Sequence, residues 1–239
     1  MSYFVSLSGG LDSTTLLANV LKMAAQPQDV HPVFFNYGSK HNPFELECCK
    51  AVCSHYNILD QLEVVDLRPV GIFNPETSAL MADNNLEVPA AAYSEPGSLD
   101  ATVVPGRNMV MISILSSKAE SLYLQRKAQH PGAPQTPVVV ALAVHSGDHA
   151  LYPDCRPQFI STVANSVAAS TEGHVLIFTP FVDMCKAAIV GVGLELGVPY
   201  ELTRSCYRQQ EKACGECGTC RERLKAFEAN GVSDRAQYA

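Results

Sequence analysis

The sequence predicts an α/β fold: a doubly wound parallel sheet followed by a short C-terminal segment of different character. Three observations predict it. Strand-like and helix-like stretches alternate in strict turn from residue 3 to residue 196, which is how successive βαβ units read. One strand-like run, PVVVALAV at 137–144, is apolar throughout, as a strand covered on both faces must be. Beyond the alternation, four cysteines crowd into residues 206–220.

The elements follow in order. Residues 3–8 are a short β-prone run, and 12–25 carry helical spacing through Leu16, Leu17, Val20 and Leu21. Residues 30–37 (VHPVFFNY) are strand-like, with Pro32 weakening the start. A helix over 44–56 and a third strand over 62–67 come next. A long helix covers 107–128, the buried strand 137–144, a helix 156–170, a strand 174–179 and a helix 184–196. Residues 82–104 have no period and are long enough to be a lid or binding element, whereas 129–136 (QHPGAPQT) read as a surface connection. This divides the chain into an α/β domain over 1–198 and a cysteine-bearing segment over 199–239 packed on it.

With 239 residues, 47% hydrophobic and 17% charged, the chain has material for one large core and is not disordered. No apolar run approaches the roughly 20 residues that cross a bilayer. The first residues lack the basic start and small-residue cleavage site of a signal peptide, which predicts a cytoplasmic protein. A net charge of −7 is poorly suited to a polyphosphate backbone, so nucleic acid is not expected as a direct partner.

The turn between first strand and first helix carries the first chemical signal. It reads LSGGLDSTTLL: Leu7, Ser8, Gly9, Gly10, Leu11, Asp12, Ser13, Thr14, Thr15, Leu16 and Leu17. Glycines let backbone approach a ligand, and the uncompensated N–H groups of a helix start favour an anion. Asp12 is placed to hold magnesium beside phosphates. The simpler alternative is a Gly-Gly turn with Asp12 or Ser13 as helix cap. No Gly-Lys-Ser/Thr ending makes it a Walker loop, and 191–197 (GVGLELG) has one residue too many for the dinucleotide fingerprint.

Cys206, Cys214, Cys217 and Cys220 are spaced C-x7-C-x2-C-x2-C, with Gly215 and Gly218 to permit tight turns. Four thiolates with no open position describe a closed structural zinc site; a redox pair or unbound buried thiols are the alternatives. Cys48, Cys49, Cys53 and Cys185 read as core thiols on helices. Charge also gathers where the strands end. Asp148 follows the buried strand, Tyr152, Asp154 and Arg156 lie in YPDCR, and Arg107 and Asn108 open the long helix after Pro-Gly. Each has an ordinary reading as cap or solvated group, as does Lys186 after Thr-Pro.

SGGLDS resembles the PP-loop of the ATP pyrophosphatase superfamily, whose members adenylate a substrate and cradle the departing pyrophosphate. SGGLDSTT, VPGRN, YPDCR, TPF…K and SCY…CGECGTCRER, in that order, resemble the QueC family of 7-cyano-7-deazaguanine synthases over nearly the whole chain. The resemblance implies a nucleotide-hydrolase-like α/β fold and an ATP-dependent ligase that converts 7-carboxy-7-deazaguanine and ammonia to the nitrile. It implies ATP with magnesium on Leu7–Leu17, Asp12 and Lys186 as catalytic groups, and one zinc on the four cysteines. Arg107, Asn108, Asp148, Tyr152, Asp154 and Arg156 become candidate substrate contacts, and a homodimer is expected. Two stretches depart from the family pattern, Gly38-Ser39-Lys40-His41 and HSGDHAL at 145–151; they bear on substrate preference. Rival readings are a related enzyme that attaches the deazapurine to a protein, a PP-loop sulfur transferase acting on tRNA, and a zinc module without catalysis. The transferase would call for a positive RNA-binding surface, against the net charge.

Overall fold

The computed structural model describes residues 1–89 and 100–239. Among these, β1 (Tyr3–Ser6), β2 (Val30–Asn36), β3 (Glu63–Asp66), β4 (Val138–Ala141) and β5 (Val175–Phe178) form one sheet in the order β3-β2-β1-β4-β5, parallel at every pairing. The helices are α1 (Leu11–Met23), α2 (Asn42–His55), α3 (Arg107–Gln129), α4 (Pro157–Ser170), α5 (Lys186–Glu195) and α6 (Gly218–Ala229). The chain winds outward from β1 to β3 and then returns to add β4 on the other side of β1. That reversal opens a crevice at the carboxyl ends of β1 and β4, where ligands of such sheets bind.

Period-two alternation sorts the core into two layers. Tyr3, Val5, Phe34 and Ala141 face α1, α2, α5 and α6, meeting Leu16, Leu17, Val52 and Ile189. Phe4, Val33, Phe35 and Val140 face the opposite way, onto Ile112 and Leu115 of α3 and Ile160 and Val163 of α4. Pro32 sits inside β2 without harm. The Val33 carbonyl accepts from Leu7 N–H, so Val33 bonds toward β1 and Pro32 would bond toward β3, whose pairing begins only at Val33. The β4 ladder is shorter than the apolar run: residues 142–144 leave it, and Leu142, Ala143 and Val144 turn toward the crevice.

The aperiodic stretch is pinned at both ends. Ser39 bridges Met81, Ala79 N–H donates to the Ala101 carbonyl at 2.6 Å, and Lys40 Nζ bonds Asn84 Oδ1 at 3.1 Å. Residues 90–99, the middle of the lid expected over 82–104, lie outside the described residues.

The C-terminal segment is built into the core. Ala226 and Phe227 of α6 join the layer formed by α1 and α5. Arg223, 2% exposed, pairs with Asp234 at 2.6 Å and donates to Thr203 Oγ1 and the Tyr200 carbonyl, so the buried charge is fully bonded. Tyr200 Oη in turn meets Thr15 Oγ1 at 2.8 Å, and a Cβ on Gly193 would fall 1.8 Å from that hydroxyl. This close approach is what the glycine-spaced 191–197 stretch provides. No helix among the described residues is long and apolar enough to cross a membrane.

Candidate active site

A cavity of about 210 Å³ opens at the carboxyl ends of β1, β2 and β4. The β1–α1 turn forms its floor. The N-cap of α1 is Gly10, and no side chain caps the helix. Ser8 N–H and Ser8 Oγ both engage Ser13 Oγ, at 3.2 and 3.1 Å. Asp12 is therefore not a cap. Its Oδ1 is buried without a hydrogen-bond partner, and its Oδ2 faces Lys186 Nζ at 3.4 Å and His145 Nε2 at 3.8 Å. The two glycines have different reasons. Gly9 has φ +70°, and a Cβ there would lie 2.6 Å from the Glu45 carbonyl oxygen, so α2 packs against it. Gly10 borders the cavity. Of the Leu7–Leu17 stretch, Leu7, Ser8, Gly10, Leu11, Asp12 and Ser13 line the cavity. Thr14, Thr15, Leu16 and Leu17 are buried behind it.

On the β4 side stands a charged cluster. Lys186 is 9% exposed at the start of α5, its Nζ 2.7 Å from Glu222 Oε2 as well as near Asp12. Burial works against the ammonium, but Asp12, Glu222 and Asp148 outweigh it and hold Lys186 protonated well above the usual lysine range. Gly147 N–H donates to His145 Nδ1, which leaves the ring proton on Nε2, facing Asp148 at 3.4 Å. Burial raises the Asp148 carboxyl, with His145 and Lys186 pulling it back. Glu222 escaped the sequence reading: it sits in CRER two residues after Cys220, and only the packing of α6 on α5 brings it to Lys186.

On the β2 side, Arg107 Nη1 donates to Tyr37 Oη at 3.3 Å and the guanidinium lies over the Tyr37 ring. Among the described residues no carboxylate pairs with it. His41, the N-cap residue of α2, and Glu45, four residues on, also line this wall. Burial, helped by Arg107 and Arg204, lowers His41 to about 3, so it is neutral. Burial pushes Glu45 up to about 7, against the Asn42 hydrogen bond and Arg107. The raised carboxyl binds its proton more tightly in the folded chain, so stability falls as pH rises from about 4.5 through about 7. Glu45→Gln should flatten that fall, gaining up to about 3 kcal/mol over wild type by pH 8. Parallel denaturation curves at pH 5 and pH 8 test this, and identical pH dependence in both proteins would contradict it.

The other candidate residues divide. Arg107, Asn108, Asp148 and Lys186 line the cavity, and Tyr152, Asp154 and Arg156 do not. Asp154 Oδ2 accepts the Asn108 N–H at 3.0 Å and so caps α3 from outside. Tyr152 Oη bonds Thr102 Oγ1 at 2.8 Å beneath the cavity wall. Arg156 is exposed, its Nε donating to the His149 carbonyl at 2.8 Å.

Cys206, Cys214, Cys217 and Cys220 bring their sulfurs within 4.8 Å of one another. Cys214 Sγ accepts N–H groups from Glu216 and Cys217 at 3.4 and 3.3 Å, and Cys206 Sγ accepts from Cys214 at 3.4 Å. Converging sulfurs that accept backbone N–H groups fit a tetrahedral metal with four thiolate ligands. Gly215 makes the tight turn with φ +70°, whereas Gly218 is the first residue of α6. Cys49 and Cys53 are core thiols, Cys48 is half-buried, and Cys185, expected in the core, is exposed at the N-cap of α5. Tyr207 and Thr219 carry the cysteine segment to the cavity edge.

Comparison with known proteins gives these features a family. Residues 2–231 match the model for queuosine biosynthesis protein QueC. A 7-cyano-7-deazaguanine synthase of Caldicellulosiruptor bescii is 40% identical over 242 residues, spanning 100% of this chain and 97% of that protein. Proteins of the same name from Caldicellulosiruptor saccharolyticus and Alteromonas mediterranea are each 38% identical, over 100% and 98% of this chain and 96% and 97% of theirs. Among solved structures, the U34-tRNA thiolase NcsA of Methanococcus maripaludis, with its 4Fe-4S cluster, aligns over 96% of this chain and 66% of that one, at 12% identity and a TM-score of 0.47. That likeness is too distant to say anything of the site. A family match across nearly the whole chain, joined to an uncapped SGGLDS turn at the switch point and a four-cysteine cluster, shows that this chain belongs to the QueC family.

Proposed function

We propose that the chain is a 7-cyano-7-deazaguanine synthase: an ATP-dependent ligase that converts 7-carboxy-7-deazaguanine and ammonia to the nitrile in queuosine biosynthesis. The observation that carries the mechanism is Asp12 at an uncapped helix start, with Oδ2 facing Lys186 and a buried Oδ1 that has no partner among the described residues. The turn at Ser8, Gly10 and Ser13 receives the β and γ phosphates, and Lys186 neutralises them. Asp12 would hold magnesium, which when bound would supply positive charge against the leaving pyrophosphate. Arg107, which meets no carboxylate among the described residues, receives the substrate carboxylate, with Asn108 beside it.

A carboxylate resists displacement because its oxygen leaves badly. Its oxygen attacks the α phosphorus of ATP, and pyrophosphate departs with the bonding pair. Ammonia adds to the activated carbon, AMP leaves, and a lost proton gives the amide. The amide oxygen is adenylated in the same way, and loss of AMP and protons yields the nitrile. No protein nucleophile is needed, so the residues act by positioning and charge. The four cysteines would hold one zinc, which has no open position and acts only on folding. Work in the cytoplasm as a homodimer belongs to the same reading, and sedimentation checks the dimer.

The test is incubation with 7-carboxy-7-deazaguanine, ammonium, ATP and magnesium, followed by mass spectrometry. Nitrile with AMP and pyrophosphate is expected. A deazapurine joined to protein, or ADP in place of AMP, would overturn the assignment.

A further inference from the structure

Glu45 is a carboxylate in the cavity wall whose hydrogen bonding is incomplete. Its side chain is 14% exposed. Asn42 Oδ1 accepts N–H groups from Tyr37, Gly38 and Ser39 at 3.0, 3.2 and 3.1 Å, so its amide cannot be turned round. Asn42 Nδ2 must therefore donate, and it does so to Glu45 Oε2 at 3.1 Å. Among the described residues the basic group facing Oε1 is His41 Nε2, at 3.7 Å, beyond hydrogen-bond reach. Neither Arg107 nor Arg204 pairs with Glu45, though both lie close enough to bias its proton. A carboxylate accepts about four hydrogen bonds; Glu45 is half-buried in the cavity wall with one side-chain donor on it among the described residues, so its remaining acceptor positions are open to a ligand that fills the cavity. Flat rings stand beside it: Tyr37 and His41 meet edge to face, and Tyr207 lies 5.1 Å from His41. This wall suits a planar heterocycle that presents adjacent N–H donors on one edge.

We propose that Glu45 is the specificity-determining residue for the base, accepting the ring N–H and the exocyclic 2-amino group of a deazaguanine while the aromatic side chains hold its face. The proposal rests on the deazaguanine reading above and adds how the ring is chosen. A guanine-type edge offers two donors to two carboxylate oxygens. An adenine-type edge offers one donor and one lone pair, and the lone pair would confront the carboxylate. The base is thereby read by charge-assisted hydrogen bonds, the strongest discriminators available to a small site.

The experiment is a two-by-two binding comparison. Wild type and Glu45→Gln are each titrated calorimetrically with 7-cyano-7-deazaguanine and with its 2-deamino counterpart. In wild type, loss of the 2-amino group should weaken binding on the order of 10- to 100-fold, the range for a hydrogen bond to a charged partner. Glu45→Gln should bind the parent compound weaker by a similar factor and lose the discrimination. The variant keeps an oxygen for Asn42, and its thermal midpoint verifies folding. Equal binding of both compounds by wild type overturns the proposal and leaves nitrile synthesis standing. Undiminished discrimination in Glu45→Gln overturns it also. Glu45 serving instead as an ammonium site would give the first of these results. A wild type that neither binds the deazaguanine nor makes nitrile fails the underlying reading itself.

Discussion

Asp12→Ala should abolish turnover while the protein stays folded. The residue is not a helix cap, so the roughly 1 kcal/mol that losing a cap costs does not apply. It contributes one oxygen to Lys186 and a second, buried oxygen with no partner among the described residues. Removing one preorganised group that meets polyphosphate charge costs about 10²- to 10³-fold in rate. Lys186 keeps Glu222 at 2.7 Å, so it is not left as a lone buried cation, and the melting temperature should move by only a few degrees. AMP release measured on the folded fraction decides the matter. Near-normal release would show that Asp12 holds neither metal nor phosphate.

Cys217→Ser should have the larger effect on stability. Cys217 is both a member of the sulfur cluster and the N-cap residue of α6, and α6 carries Phe227 into the main core and Glu222 to Lys186. Ligands gathered from residues 206 to 220 bind metal only as the segment folds, so the binding free energy, about 10 kcal/mol for such sites, is local folding free energy. Elemental analysis should find about one zinc per wild-type chain and far less in the variant. Amide exchange should accelerate over residues 200–239, and aggregation should follow. Activity should decline in step with the folded fraction, since four thiolates leave no coordination position for chemistry. A metal-free wild type with C-terminal protection intact would mean the cysteines are not a metal site.

Local pattern by itself determined the layered sheet, because burial on two faces must show as apolar runs and helical spacing wherever it occurs. It determined the SGGLDS turn and the cysteine cluster for a related reason: each is made from neighbours in the chain. Contacts between distant segments were left to the tertiary structure. Glu222 meets Lys186 across 36 residues, and nothing in CRER distinguishes a glutamate that will reach a buried lysine from a solvated one. Asp154 looks like a ligand-binding charge in YPDCR, yet it faces the α3 N-terminus, because the sheet brings residues 108 and 154 side by side. Gly9 reads as a ligand glycine, but α2 makes it necessary. The open acceptor positions of Glu45 face the cavity only once α2 has packed against the sheet and Asn42 has been locked by three N–H groups. Sequence carries what a residue can do through its neighbours in the chain, whereas desolvation and partner choice depend on the full three-dimensional surroundings, and those are set when the whole chain closes.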